Sequence, residues 1–273
     1  MSAARIKNLI LLILTLAVCF LLIAVAPGRL AARRTEAAVT QELTELFAGY
    51  GVTLEAELPR SEALCIIELD DGSVQAAQAL LGQEAQEDAA STRYETRFFS
   101  EYGTAVFQRS GAVEAALDVP VQSGYEKDMK RRLRTMGCAL WQIQPAVRGE
   151  DGSYRLTARQ ALLGVPVFGA ELTFTYQDGT LRAVSGTVCP GNGTAQRVSE
   201  QECMSCADAL TQILASRDET GWVGSRILSV QQGYLHTETA AAALRFVPMW
   251  QIETDTALFF VNGITGEVRQ SAA

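Results

Sequence analysis

Apolar and polar positions divide the chain into one long apolar run and a much longer region in which they alternate. The run covers residues 9–26, LILLILTLAVCFLLIAVA, and its eighteen residues include no charged side chain. At about 1.5 Å of rise per residue, a helix of this length just crosses a hydrocarbon core of about 30 Å. The pattern therefore predicts a single transmembrane helix over residues 9–26.

A cleaved signal peptide is the alternative interpretation of the same run. Ala24-Val25-Ala26 has the small-x-small form of a signal-peptidase site. The run is longer than a usual signal core of about 7–15 residues, however, and cleavage after Ala26 would leave Pro27 beside the cut. These two features favour a retained membrane anchor.

The basic residues on the two sides of the anchor are nearly equal in number, so charge alone does not decide its orientation. Arg5 and Lys7 precede the run, while Arg29, Arg33 and Arg34 follow it. The N-terminus is very short, and a large following domain can be exported largely regardless of its charge. We therefore expect residues 1–8 in the cytoplasm and the region after residue 26 outside the cell membrane, as a single-pass protein.

The region beyond the run alternates between helical and strand-like periodicities. Residues 27–50 predict a juxtamembrane helix, because Val39, Leu43, Leu46 and Phe47 recur near a 3.6-residue period. Two further helices are predicted over residues 73–81 and 125–136, and a third, opened by a capping box of Ser199 with Glu202, runs to about residue 216. Predicted strands cover residues 52–58, 63–69, 92–107, 112–117, 154–160, 165–176, 180–188, 225–235, 243–253, 257–262 and 267–270.

The order of these elements predicts an α+β fold with antiparallel strands packed on helices. Residues 149–152, GEDG, have the composition of a turn and mark a break in the pattern. We therefore predict a first lobe over residues 51–147 and a second lobe over residues 148–273.

The second lobe contains a short internal repeat. Residues 165–171 and 247–253 share the pattern V-P-apolar-aromatic-x-apolar-E. Each is followed by a glycine turn, at residues 178–179 and at 262–263 or 265–266. The first lobe offers a third, fainter hairpin at Ser110-Gly111. One match over seven positions can arise by chance, but the recurrence indicates a helix-and-hairpin unit used more than once.

Charge narrows the range of partners. The chain has 31 acidic and 23 basic residues, and five of the bases precede the first acid, Glu36, so the rest of the chain carries 18 − 31 = −13. Such a surface repels phosphate backbones. We therefore expect no nucleic acid partner, and the lipid bilayer is the partner of the apolar run.

Candidate chemistry is sparse. Cys203 and Cys206 have the C-x-x-C spacing of a redox dithiol or half a zinc site, but no second pair accompanies them, and we expect both on one face of a helix. The only histidine is His236, at the end of a predicted strand, and no G-x-S-x-G, H-E-x-x-H or P-loop motif occurs. We therefore predict no catalytic residues, cofactor or metal, and no enzymatic activity.

Three segments of the C-terminal region resemble the YycI-type regulatory proteins of Gram-positive bacteria. These segments are residues 227–234, 246–253 and 259–268. The similarity is specific over roughly the last fifty residues. Before Tyr154 it concerns only the order of the anchor, the juxtamembrane helix and the first lobe. The resemblance implies a single-pass membrane protein with strand-rich extracellular lobes related to PepSY-like modules.

The resemblance also implies regulation of a two-component system. Members of the family associate with a sensor histidine kinase that controls cell-wall metabolism and with a YycH-like partner protein. Two other hypotheses stay open: a tethered PepSY-like binding or inhibitory module acting on a peptidase or wall polymer, and a thiol oxidoreductase using Cys203 and Cys206 at a depressed pKa.

A surface for the kinase contact can be named within the anchor. Thr15, Cys19 and Ala26 are spaced by four and seven residues, so they share one helix face with small or weakly polar side chains. Such a stripe lets another membrane helix approach closely. We predict it as a helix–helix contact.

Overall fold

The computed structural model of the chain describes residues 38–69, 72–190, 195–237 and 244–271. Its helices are α1 (38–49), α2 (Ser73–Leu81), α3 (Tyr125–Thr135), α4 (Cys206–Ala215) and α5 (Arg217–Thr220). Its strands are β1 (Thr53–Leu54), β2 (Ile67–Leu69), β3 (Gln86–Glu87), β4 (Glu95–Ser100), β5 (Gly103–Gln108), β6 (Ala112–Pro120), β7 (Ala139–Ile143), β8 (Val147–Arg148), β9 (Tyr154–Leu162), β10 (Val165–Gln177), β11 (Thr180–Thr187), β12 (Gln196–Arg197), β13 (Arg226–Thr237), β14 (Leu244–Thr254), β15 (Leu258–Asn262) and β16 (Val268–Gln270).

The predicted α+β class is confirmed, with one large and mostly antiparallel sheet dominating the fold. The predicted membrane span at residues 9–26 lies outside the described residues. Among the helices within those residues, none combines the length and the apolar character needed to cross a membrane.

Strand pairing groups the described residues into two units. The central unit, residues 72–189, holds α2 and α3 against strands β3 to β11. The terminal unit combines residues 38–69 with residues 195–271, because β1 pairs with β13 and β2 pairs with β14. Each unit has its own buried core, and a third cluster of buried side chains lies where they meet.

This grouping differs from the predicted division at residue 147. β6, before that position, pairs with β11, and β7 pairs with β9. The glycine-rich stretch at residues 149–152 is a tight turn from β8 into β9, closed by a 2.9 Å bond from the Gly149 N–H to the Ser153 carbonyl. Turn composition is the same in a hairpin as in a linker, so it does not mark a boundary here.

β10 joins the two units. Its first part pairs in parallel with β13 through Val167 and Phe168, whereas Leu172 to Gln177 pair with β11. The register against β9 shifts between Pro166 and Glu171, and Gly169 there has φ of 77°, a conformation that glycine adopts at little cost. This irregularity redirects the strand from one unit to the other.

The helix-and-strand repeat is seen three times. α2 precedes β4, β5 and β6; α3 precedes β9, β10 and β11; α4 precedes β13, β14 and β15. The two V-P segments lie in β10 and β14, the middle strands of their trios. The predicted match of their turns is wrong, because β14 turns at Asp255 and Thr256, whereas residues 262–266 lead from β15 into β16.

The start of α4 also differs from its prediction. Ser205, not Ser199, is the N-cap, and Ser205 and Asp208 form the capping box. The Cys203 N–H donates to the Leu64 carbonyl at 2.6 Å and the Met204 N–H to the Gly263 carbonyl at 2.7 Å. Because these bonds hold residues 203 and 204 against neighbouring chain segments, the helix cannot begin before them.

Candidate binding cleft

The residues predicted from the sequence as sites do not form a cluster. Thr15, Cys19 and Ala26 lie outside the described residues. His236 is on β13, opposite Phe246 of β14, with the two rings 5.5 Å apart. No group of three or more metal-ligating side chains occurs within the part of the chain that the structure describes.

Cys203 and Cys206 do not share a helix face as predicted, because Cys203 precedes α4. Burial raises the pKa of the Cys206 thiol to about 12 and also raises the pKa of Cys203. A thiolate is the reactive form of cysteine, and a raised pKa disfavours it. Both shifts are opposite to the depressed pKa that the oxidoreductase hypothesis requires.

α3 combines a buried apolar side with a run of basic residues. Its sequence, YEKDMKRRLRT, places Met129 and Leu133 in the central core. Acidic side chains lie in its first turn and basic ones in its last turn, which is the favourable arrangement for the helix dipole.

A buried ion pair fixes α3 to the sheet and to α2. The Asp128 carboxylate is fully buried, and the Arg132 Nε donates to its Oδ2 at 2.8 Å. The Tyr176 hydroxyl of β10 donates to the same oxygen at 3.2 Å, and burial, followed by the Asp128 charge, raises the pKa of Tyr176. Arg132 Nη1 donates to the Ala79 carbonyl at 2.8 Å, which satisfies a carbonyl in the last turn of α2.

Sequence reasoning missed this network, because Arg132 belongs to a run of basic residues at positions 130–134, a pattern typical of a solvated helix face. A signal was present: residues 128, 129, 132, 133 and 136 share one side of a 3.6-residue helix, and Asp128 and Arg132 lie at the i,i+4 spacing of an ion pair. Charged residues on the apolar side of a helix indicate a buried pair. The remaining bases of α3 are exposed: Lys127, Lys130, Arg131 and Arg134.

The outer face of α3 forms one wall of a cleft of about 1300 Å³. Five basic residues line it, against the single acid Glu126; the bases are Lys127, Lys130, Arg131, Arg132 and Arg134. We call this feature the α3 cleft. It is a basic concavity on a chain with a net charge of −8.

The basic residues of the α3 cleft differ in whether they form ion pairs. Lys130 pairs with Glu126 at 2.5 Å, and Arg131 pairs with Asp128. Within the described residues, Lys127 and Arg134 have no ion-pair partner. These two cations are therefore available to a ligand.

The floor of the α3 cleft is apolar and aromatic. Tyr154 and Leu156 of β9 line it together with Val119. Tyr125 at the start of α3 stacks on Tyr176 with ring centroids 4.5 Å apart and lies 5.5 Å from Tyr154. Its hydroxyl accepts a hydrogen bond from the Gly179 N–H at 3.2 Å. These contacts make the floor rigid before any ligand binds.

The second functional feature is the attachment of α1. Leu43 and Phe47 of α1 are buried among Leu210 and Ile213 of α4. The Arg217 guanidinium donates to the Tyr50 carbonyl at 3.0 Å, and also to the carbonyls of Trp222 and Gly224. The end of α1 is thus held by both packing and hydrogen bonds.

The fold and the α3 cleft together define an α+β protein built from repeated helix-on-sheet units that presents a basic concave surface. No protein-family profile matches the chain, and no curated protein matches it. The solved structures to which the chain is similar at low identity include the following two.

One is an uncharacterized protein from Eubacterium rectale ATCC 33656, with 7% identity and a TM-score of 0.48, covering 81% of this chain and 90% of that chain. The other is the Bacillus megaterium YpeB C-terminal domain, with 9% identity and a TM-score of 0.35, covering 76% of this chain and 99% of that chain. At such low identities, the function has to be argued from the residues of this chain.

Proposed function

We propose that this chain is a membrane-anchored regulator of a two-component sensor histidine kinase that controls cell-wall metabolism. Residues 9–26 span the membrane once, residues 1–8 lie in the cytoplasm, and the two folded units lie outside. The apolar run and the C-terminal resemblance to YycI-type proteins support this proposal. A YycH-like protein is the expected third component.

The attachment of α1 is the observation that carries the proposal. α1 is the first described element after the apolar run, and it belongs to the core of the terminal unit through Leu43 and Phe47. A protein that needs only a tether is served by a flexible linker of polar residues. A packed helix instead transmits a displacement of the anchor to the sheet, which is what a regulator acting across a membrane requires.

The anchor itself supplies a second contact in this proposal. Thr15, Cys19 and Ala26 form a stripe along which a kinase helix packs closely. The extracellular units supply the other contact. Both contacts are needed, because the kinase has to be bound and the arrangement of its membrane helices has to be shifted.

A tethered PepSY-like binding or inhibitory module is the second candidate. The α3 cleft favours it, since a basic concavity suits an anionic wall polymer or an acidic segment of a peptidase. In this case the membrane helix is only a tether, and a fragment beginning at residue 35 retains full binding and inhibition.

Crosslinking in the native membrane separates the two candidates. We expect the full chain to capture the sensor kinase, and a chain with Thr15→Leu and Cys19→Leu to capture less of it. Ala17→Leu with Ala24→Leu, on the opposite face of the same helix, is the matched control and should capture as much as the unaltered chain. Capture of a peptidase or wall polymer by the full chain and by the fragment from residue 35, with no kinase in either, would refute the regulator proposal.

A further inference from the structure

The α3 cleft has the features of a peptide-binding surface. We propose that it binds an acidic, partly apolar peptide segment of a partner protein. This inference rests on the proposed function, because it names the kind of partner surface that the extracellular units recognise.

Charge selects an anionic occupant. Five bases and one acid line the α3 cleft, and Lys127 and Arg134 have no ion-pair partner within the described residues. The chain as a whole carries a net charge of −8, so the α3 cleft contrasts with the overall charge and attracts an acidic partner. Such segregation steers a partner to one site and fixes its orientation.

The floor selects a peptide over a polyanion. Tyr154, Leu156 and Val119 offer apolar surface beneath the basic wall. A phosphodiester polymer has charges at every unit and no side chain to bury on such a floor. A peptide that alternates acidic and apolar residues presents carboxylates to α3 and apolar side chains to the floor at the same time.

The dimensions fit a short segment. α3 has 11 residues and is therefore about 16 Å long at about 1.5 Å per residue. An extended peptide rises about 3.3 Å per residue, so a segment of about five residues covers the α3 cleft. The buried pair of Asp128 with Arg132 holds this wall in place before binding, which lowers the cost of ordering the site.

Fluorescence anisotropy tests the inference directly. The full chain in an uncharged detergent is titrated against a labelled synthetic peptide of alternating glutamate and leucine, a version with glutamine for every glutamate, and a glycerol phosphate polymer. We expect the acidic peptide to bind and the glutamine version to fail. Lys127→Glu with Arg134→Glu should weaken binding by about tenfold or more, with the effect shrinking as salt is added.

Arg93→Glu with Arg109→Glu is the matched control. It makes the same charge change at two exposed arginines that line a different pocket of the central unit. It should leave peptide affinity within about twofold of the unaltered chain. Circular dichroism and the thermal midpoint of both double variants establish that they are folded.

The outcomes separate this inference from the proposed function. Peptide affinity that the Lys127 and Arg134 reversals leave unchanged would overturn the inference, as would tighter binding of the glycerol phosphate polymer than of the acidic peptide. If the peptide binds as expected while crosslinking captures no kinase, the inference stands and the proposed function fails.

Discussion

Asp128 is the residue on which the shape of the α3 cleft depends. It is the buried acceptor for Arg132 and Tyr176, and it thereby joins α3 to β10 and, through Arg132, to α2. A buried charge pair is not by itself a source of stability, but removal of one partner leaves the other unpaired away from water.

We therefore expect Asp128→Ala to lower the free energy of unfolding by about 3–5 kcal/mol. Urea unfolding, followed by circular dichroism, measures the change. Glu126→Ala on the exposed side of the same helix removes only a surface pair and should cost less than about 1 kcal/mol. Equal losses in the two variants would show that the buried pair does not hold α3.

Sequence reasoning about the site is weakest for single side chains. The basic run of α3 is visible in the sequence, but the burial of Arg132 within it is not. Its burial follows from Ala79 in α2 and Tyr176 in β10, which are more than forty residues away on either side. No local pattern contains those positions, so only the i,i+4 pairing with Asp128 hinted at them.

At the scale of elements, the start of α4 provides a sharp comparison. Residues 199–202 and 205–208 both have the serine-x-x-acid spacing of a capping box, but only Ser205 caps a helix. Ser205 Oγ accepts from the Asp208 N–H at 3.2 Å, whereas Ser199 Oγ accepts from the Gln201 N–H in a turn.

Ser205→Ala should therefore lower the free energy of unfolding by about 1 kcal/mol, because it leaves an N-terminal N–H of α4 without its acceptor. Ser199→Ala is the control and should change it by less than about 0.5 kcal/mol. Thermal and urea unfolding report both. A larger loss of unfolding free energy for the Ser199 variant would instead support a helix that begins at Ser199, as the sequence predicted.

Elements with strong local signals were predicted well. α2 covers the predicted residues 73–81, and α3 covers the predicted residues 125–136 to within one residue. The signals for both helices are local, because the helical periodicity lies within each segment and glycines lie close to its ends. β1 and β2 are much shorter than the predicted strands at residues 52–58 and 63–69. Their partners, β13 and β14, lie more than 170 residues along the chain, so their lengths depend on contacts that the segment itself does not contain.

At the scale of the whole molecule, the first and last segments that the structure describes belong to one unit. Residues 38–69 complete the sheet and core built by residues 195–271, and the central unit is inserted between them. A division at residue 147 is the simplest interpretation of a linear pattern, but it assumes that neighbours in sequence are neighbours in space. The insertion also means that α1, which follows the apolar run, is packed on α4, more than 150 residues further along the chain.

This arrangement gives the proposed regulator its mechanism. Under the proposed function, a movement of the membrane helix would pass to α1, then to α4 through the core that contains Leu43 and Phe47, and then to the central unit through the pairing of β13 with β10. The α3 cleft lies in that central unit. The proposal therefore predicts that binding at the α3 cleft and displacement of the anchor are coupled through one continuous sheet.

The most direct test of the proposed regulation is to measure the phosphorylation output of the sensor kinase in cells that contain one of three versions of the chain. These are the full chain, the fragment from residue 35 exported without an anchor, and the full chain with Phe47→Ala, which detaches α1 from the terminal core. We expect the full chain to change the output, the fragment to be inert, and the Phe47 variant, present at equal abundance, to lose most of its effect. A fragment that acts as strongly as the full chain would contradict regulation through the membrane.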